Sequence, residues 1–138
     1  MSLRALPTIA IPVILYNALV VFAGDGSAAS FLHVPLFTMK MIKGAEWVFS
    51  RGDLIILITM GCLFVELIKS TYTSAASLFD HGLSMLVFIV CIIEFLVVDS
   101  AATSVFFFVM TGALIDVVAG FTIGIRVARR DLTIGAGS

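Results

Sequence analysis

Residues Ala102–Val127 read ATSVFFFVMTGALIDVVAGFTIGIRV. The run is apolar over more than the ~20 residues needed to cross ~30 Å of hydrocarbon. Near its middle stands one carboxylate, Asp116, and Gly112, Gly120 and Gly124 recur around it at four-residue spacing. That spacing puts all four on one helical face. A carboxylate at such depth is costly and normally faces protein rather than acyl chains. Small residues beside it let a second helix come close. The stretch therefore predicts a helix in a packed membrane bundle and indicates which face turns inward.

The rest of the chain agrees in composition. Of 138 residues, 61% are hydrophobic and 12% charged, against about 45–50% and about 25% in an average soluble domain. The expected setting is the lipid bilayer. The formal net charge is −1, and no Lys/Arg patch is present, so nucleic acid is not an expected partner. Cys62 and Cys91 both fall inside apolar runs and read as buried thiols, with a redox pair as the lesser alternative.

Four apolar runs are predicted to span: Ala5–Ala23, Asp53–Tyr72, Gly82–Asp99 and Ala102–Val127. The expected fold is thus all-α, one integral membrane domain of four transmembrane helices. Ser50 and Asp53 have the spacing of a capping box at the start of the second run. Pro12 within the first run is expected to free the Thr8 carbonyl. That run also has the form of a secretory signal peptide, with Arg4 before it and small residues after it. Its length, Pro12 and Asn17 favour a retained helix.

The first loop, Gly24–Gly52, is the longest. Within 34–49, Phe37, Met41, Ala45 and Val48 share one helical face and Lys40, Lys43 and Glu46 another. The pattern predicts an amphipathic interfacial helix with Trp47 as a membrane anchor. Residues 128–138 read as a flexible C-terminal tail.

Basic residues set orientation. Arg4, Lys69, Arg126, Arg129 and Arg130 fall on one side of a four-span topology, and Lys40, Lys43 and Arg51 on the other. Both termini are expected in the cytoplasm of a cell with an inner membrane, with Arg126, Arg129 and Arg130 as anchors.

Three of the runs carry one polar or small stripe each, expected to turn inward: Thr59, Cys62, Glu66, Lys69 or Ser70 and Thr73 in the second, Asp80, Ser84, Cys91 and Glu94 in the third, and Gly112, Asp116, Gly120 and Gly124 in the fourth. A ~1.5 Å rise per residue sorts the polar residues into two layers. Asn17, Thr59 and Glu94, with Tyr16 as a candidate fourth member, form an outer layer, and Glu66, Lys69 and Asp116 an inner one. Glu66 and Lys69 are three apart and can pair. Lys69 is also the expected partner of Asp116.

Phe64, Glu66, Lys69 and the pair Phe79-Asp80 together resemble the pattern of voltage-sensing four-helix domains. The last run departs from that family, because it lacks an arginine at every third position. No family is assigned. No nucleophile motif, phosphate loop or metal-ligand spacing appears, so neither enzyme activity nor a metal or other cofactor is expected. Met39, Met41 and His33 are too few to indicate a soft-metal site.

Two functional classes remain, and the first is the expected one, with the second as its alternative. One is a structural or accessory membrane subunit that packs through its polar and glycine-lined face, as a homo-oligomer or in a larger complex. The other is a small proton- or cation-coupled transporter or channel that uses Glu94, Asp116 and Glu66.

Overall fold

The computed structural model describes residues 5–24, 26–72 and 75–137. Arg4, Thr73 and the final residue of the expected tail lie outside the described residues. The elements in order are α1 (Ala10–Phe22), α2 (Ala28–Leu32), β1 (Pro35–Lys40), β2 (Glu46–Ser50), α3 (Arg51–Lys69), α4 (Ala75–Val97), a 3-10 turn (Asp99–Ala101) and α5 (Ser104–Ala136).

The four-span expectation does not hold. Among the described residues, two helices are long and apolar enough to cross a membrane, within Ser77–Val97 and Ser104–Ala136. They are antiparallel neighbours joined by the 3-10 turn. Only 22% of the first apolar window and 39% of the second is buried inside the protein, so neither is an enclosed core helix. The other two expected spans fall short for different reasons. α1 has 13 residues, about 20 Å of helix against ~30 Å of hydrocarbon. α3 has 19 residues but carries Arg51, Asp53, Glu66 and Lys69.

Pro12 sits in the first turn of α1, where its missing N–H would have had no helical acceptor. The Thr8 carbonyl is not freed, because it accepts from the Ile11 N–H at 3.0 Å. Ser50 and Asp53 do form a reciprocal capping box. The Ser50 hydroxyl accepts from the Asp53 N–H at 3.2 Å, and the Asp53 carboxylate accepts from the Ser50 N–H at 2.8 Å.

The expected interfacial helix at 34–49 is an antiparallel hairpin. The two periodicities compete within the same residues. Phe37, Met41, Ala45 and Val48 satisfy a helical face, but Phe37 and Met39 opposite Phe49 and Trp47 satisfy a strand face. Gly44 decides between them. It takes φ +89°, the Gly44 N–H donates to the Met41 carbonyl at 2.9 Å, and the Met41 N–H donates to Ala45 at 2.7 Å. This is a short hairpin turn closed by a left-handed glycine. In a helix interior the same glycine would cost about 1 kcal/mol relative to alanine.

The C-terminal tail expectation also changes, since α5 continues through 128–136 as helix. α4 begins seven residues before the expected Gly82, which brings Asp80 and His81 into the helix. α5 packs against both α3 and α4, and α1 lies mainly against α3. The apolar core holds Tyr16, Ile55, Cys91, Phe106 and Val109, all without exposed surface. Outside it, large apolar side chains of α1, α3, α4 and α5 stay exposed. Leu57, Phe64, Leu86, Ile93 and Val118 are examples, each more than half exposed.

Candidate functional site: a buried cluster of three acids and one lysine

The start of α1 meets the end of α3, the first turns of α4 and the second half of α5. Four ionisable side chains converge there: Glu66, Lys69, Asp80 and Asp116. The three carboxyl residues are all but fully buried, and the Lys69 side chain is 16% exposed.

Lys69 organises the cluster. Its ammonium donates to Glu66 Oε1 at 3.1 Å, to Asp80 Oδ1 at 2.9 Å and to the Leu6 carbonyl at 2.7 Å. An ammonium has three donors, and all three are used. Glu66 Oε1 also accepts from the Thr8 hydroxyl at 2.6 Å and from the Thr8 backbone N–H. The segment before α1 is thus fastened to the end of α3. Glu66 and Asp80 are held close by the cation they share, and Glu66 Oε2 and Asp80 Oδ2 have no hydrogen-bond partner.

Asp116 does not pair with Lys69. The lysine has no donor left, and Asp80, entering from α4, occupies the place expected for Asp116. Ser84 lies beside Asp116, yet neither the Ser84 hydroxyl nor either Asp116 oxygen completes a hydrogen bond. Both ring nitrogens of the buried His81 are equally unpartnered.

The glycine face explains how these groups fit. A Cβ at Gly120 would lie 3.1 Å from His81 Nδ1 and 3.6 Å from Asp116 Oδ1. Both side chains thus converge on one backbone position. A Cβ at Gly124 would lie 3.7 Å from His81 Nε2. Gly112 serves a separate contact, where its missing Cβ would meet the Thr59 methyl at 2.8 Å. Gly120 and Gly124 therefore seat an imidazole from α4 within the same chain, and Gly112 seats α3.

The residues expected as an outer layer are not brought together. The Asn17 amide donates to Val13 of its own helix at 3.1 Å, and the Thr59 hydroxyl to Ile55 at 2.8 Å. Glu94 is half-buried. The polar contact at that end belongs to Tyr16, whose hydroxyl donates to the Ser100 carbonyl at 2.7 Å and lies 2.6 Å from the Thr103 hydroxyl. Trp47 is on β2 and packs edge-on against Phe37 and Phe49. Arg126, Arg129 and Arg130 are exposed along the last turns of α5.

Sequence reasoning missed Thr8 and His81 as members of the site. It read Asp80, Ser84, Cys91 and Glu94 as one inward stripe but did not assign Asp80 to Lys69, which the structure does. Among the described residues no three His, Cys, Asp or Glu side chains are grouped to hold a metal ion. Cys62 and Cys91 are free thiols.

The cluster's charge is unbalanced. Three carboxyl groups face one ammonium. If all three ionise, two negative charges stay uncompensated in a water-poor interior, at a cost of several kcal/mol each. The arrangement can relieve this by taking up protons or a cation. No family model, curated protein or solved structure matches the chain, so any functional reading rests on this geometry.

Proposed function

We propose that the chain is a small membrane protein that carries protons or a cation through its buried acid cluster. The observation that carries this reading is Asp116, which has no exposed surface and, beyond the Ser84 hydroxyl beside it, no polar partner on its carboxyl oxygens. Buried ionisable groups in membrane helices commonly mark ion or proton paths. His81 and Ser84 beside it can pass a proton toward Asp80 and Glu66, because both can donate and accept.

The same reading places α4 and α5 across a cell's inner membrane. The ends near Lys69, Arg126, Arg129 and Arg130 face the cytoplasm by the distribution of positive charge. Ile9, Tyr16, Phe106, Val109 and Ala113 have no exposed surface. On this reading they seal the cluster on one side, and it loads from the arginine-rich side.

The test is flux in liposomes made with the purified protein. A pH-sensitive dye should report dissipation of an imposed proton gradient, or a competing sodium or potassium gradient should drive it. Asp116→Asn removes the titrating carboxyl at nearly constant volume. It should abolish flux while leaving helix content and detergent-solubilised size unchanged. Flux indistinguishable from that of empty liposomes under all three gradients would overturn the reading.

The alternative is a packing or accessory subunit. It is favoured by the hairpin, whose Phe37, Met39 and Trp47 are each about half exposed and whose tip residue Ile42 is fully exposed. That reading requires no flux and a stable partner or second copy in mild detergent.

A further inference from the structure

The Lys69 ammonium is enclosed by three oxygens from three segments. They are Glu66 Oε1 on α3 at 3.1 Å, Asp80 Oδ1 on α4 at 2.9 Å and the Leu6 carbonyl ahead of α1 at 2.7 Å. Two carboxylates and a backbone carbonyl are also the hard oxygen donors that a metal cation takes. That seat is filled, and its occupant is tethered to the chain one helical turn from Glu66. Glu66, Ser84 and Asp116 have no exposed surface, and Asp80 has 1%. A metal cation arriving from water would have to shed its hydration shell and displace an ammonium that rebinds without diffusing away. Asp116 offers no second seat. Its neighbours are the Ser84 hydroxyl and the His81 ring. Its Gly120 side is closed, since a Cβ there would lie 3.6 Å from Asp116 Oδ1 and 3.0 Å from His81 Cε1. One carboxylate and one hydroxyl supply three oxygens, where a hard cation such as calcium takes about six or more.

We infer that the ion this cluster carries is the proton, and that Lys69 is the internal cation that keeps metal ions out. The inference rests on the transport reading and narrows its substrate. A proton needs one lone pair and no coordination shell. Unpartnered lone pairs stand on Glu66 Oε2, Asp80 Oδ2 and the Asp116 carboxyl. His81 and Ser84 lie among them, and each can accept and donate a proton. The charged and titratable side chains that face Asp116 are Glu66 and Lys69 from α3 and Asp80 and His81 from α4. Among the described residues, the segment ahead of α1 adds only the neutral groups of Leu6 and Thr8. Three carboxyl groups and one ammonium reach zero net charge with two protons aboard, the state of least charge in a water-poor interior.

Liposomes holding the full chain test it. A potassium diffusion potential set with valinomycin should drive protons inward, seen by an internal pH-sensitive dye. The rate should be unchanged when all sodium is replaced by choline. Without the ionophore, tracer sodium and rubidium should enter no faster than in empty liposomes. A second readout needs no flux. Thermal unfolding of the unaltered chain in detergent should have the same midpoint in sodium chloride as in choline chloride. Lys69→Ala empties the seat, and sodium should raise that variant's midpoint by about 3 °C, because a ligand that binds only the folded state stabilises it. Entry of sodium or rubidium above the empty-liposome level would overturn this inference while keeping the transport reading. No flux of any ion would overturn both. A midpoint of the unaltered chain raised by sodium, or an Lys69→Ala variant that folds and ignores sodium, would also overturn it. The comparison of ions on the unaltered chain stands even if the variant fails to fold.

Discussion

Lys69→Met removes the one cation that bridges Glu66 and Asp80 while keeping a stem of similar length. Breaking a buried ion pair by deleting one partner costs about 3–5 kcal/mol, because the remaining charge is left uncompensated. Here two carboxylates are stranded, and the Leu6 carbonyl loses its donor as well. The lysine is 16% exposed at its side chain, so some water can reach the gap, and the lower end, about 3 kcal/mol, is expected. The cost arises from stranded charge, so neutralising the partners should recover most of it. The triple variant Glu66→Gln, Lys69→Met, Asp80→Asn should lie within about 1 kcal/mol of the unaltered chain, since well-packed neutral groups often replace a buried ionic cluster without loss. Reversible unfolding in mixed micelles of harsh and mild detergent, followed by circular dichroism, measures both. A loss below about 0.5 kcal/mol for the single variant, or a triple variant no more stable than the single, would refute the placement of Lys69 between the two acids.

Two further substitutions test the packing and the hairpin. Gly112→Ala places a methyl 2.8 Å from the Thr59 methyl and should destabilise by about 1–3 kcal/mol through overpacking. Adding Thr59→Ser removes the opposing methyl and should recover much of that loss in a double-mutant cycle. Gly44→Ala meets no atom within 4 Å, so its effect is purely one of backbone. With φ at +89° it should cost roughly 1–2 kcal/mol and speed hydrogen exchange at the Met41 amide. An interfacial helix predicts the opposite sign, since alanine would stabilise it by about 1 kcal/mol.

Part of this architecture is legible in the sequence because it depends on near neighbours. The Ser50–Asp53 capping box closes over three residues, and a reading of the chain finds it. The apolar length of α4 and α5 is likewise a local property. So is the face that carries Gly112, Asp116 and Gly120, all of which are buried. The hairpin is not legible in the same way. Residues 34–49 satisfy two periods at once, and the backbone angle at Gly44 settles between them. The start of α4 is also hidden, and an error of seven residues there moved His81 from a loop, and Asp80 from the helix's edge, to the interior. Once they are inside, the first sequence-based partner of Asp116 is lost.

The sequence by itself determined that this chain is rich in apolar helix and that a carboxylate lies on a glycine-lined face; it suggested four spans, and the structure reduced the helices of membrane length to two among the described residues. Helical periodicity and side-chain hydration act over a few residues and need no fold to be read. Tertiary structure alone decided which acids share Lys69. An ammonium has three donors, and Leu6, Glu66 and Asp80 reach them from three separate segments. Asp116, on a fourth, is left beside His81 and Ser84 with no direct ion pair, and interacts with Lys69 only through space. That assignment depends on distances between helices, which spacing within a helix does not encode.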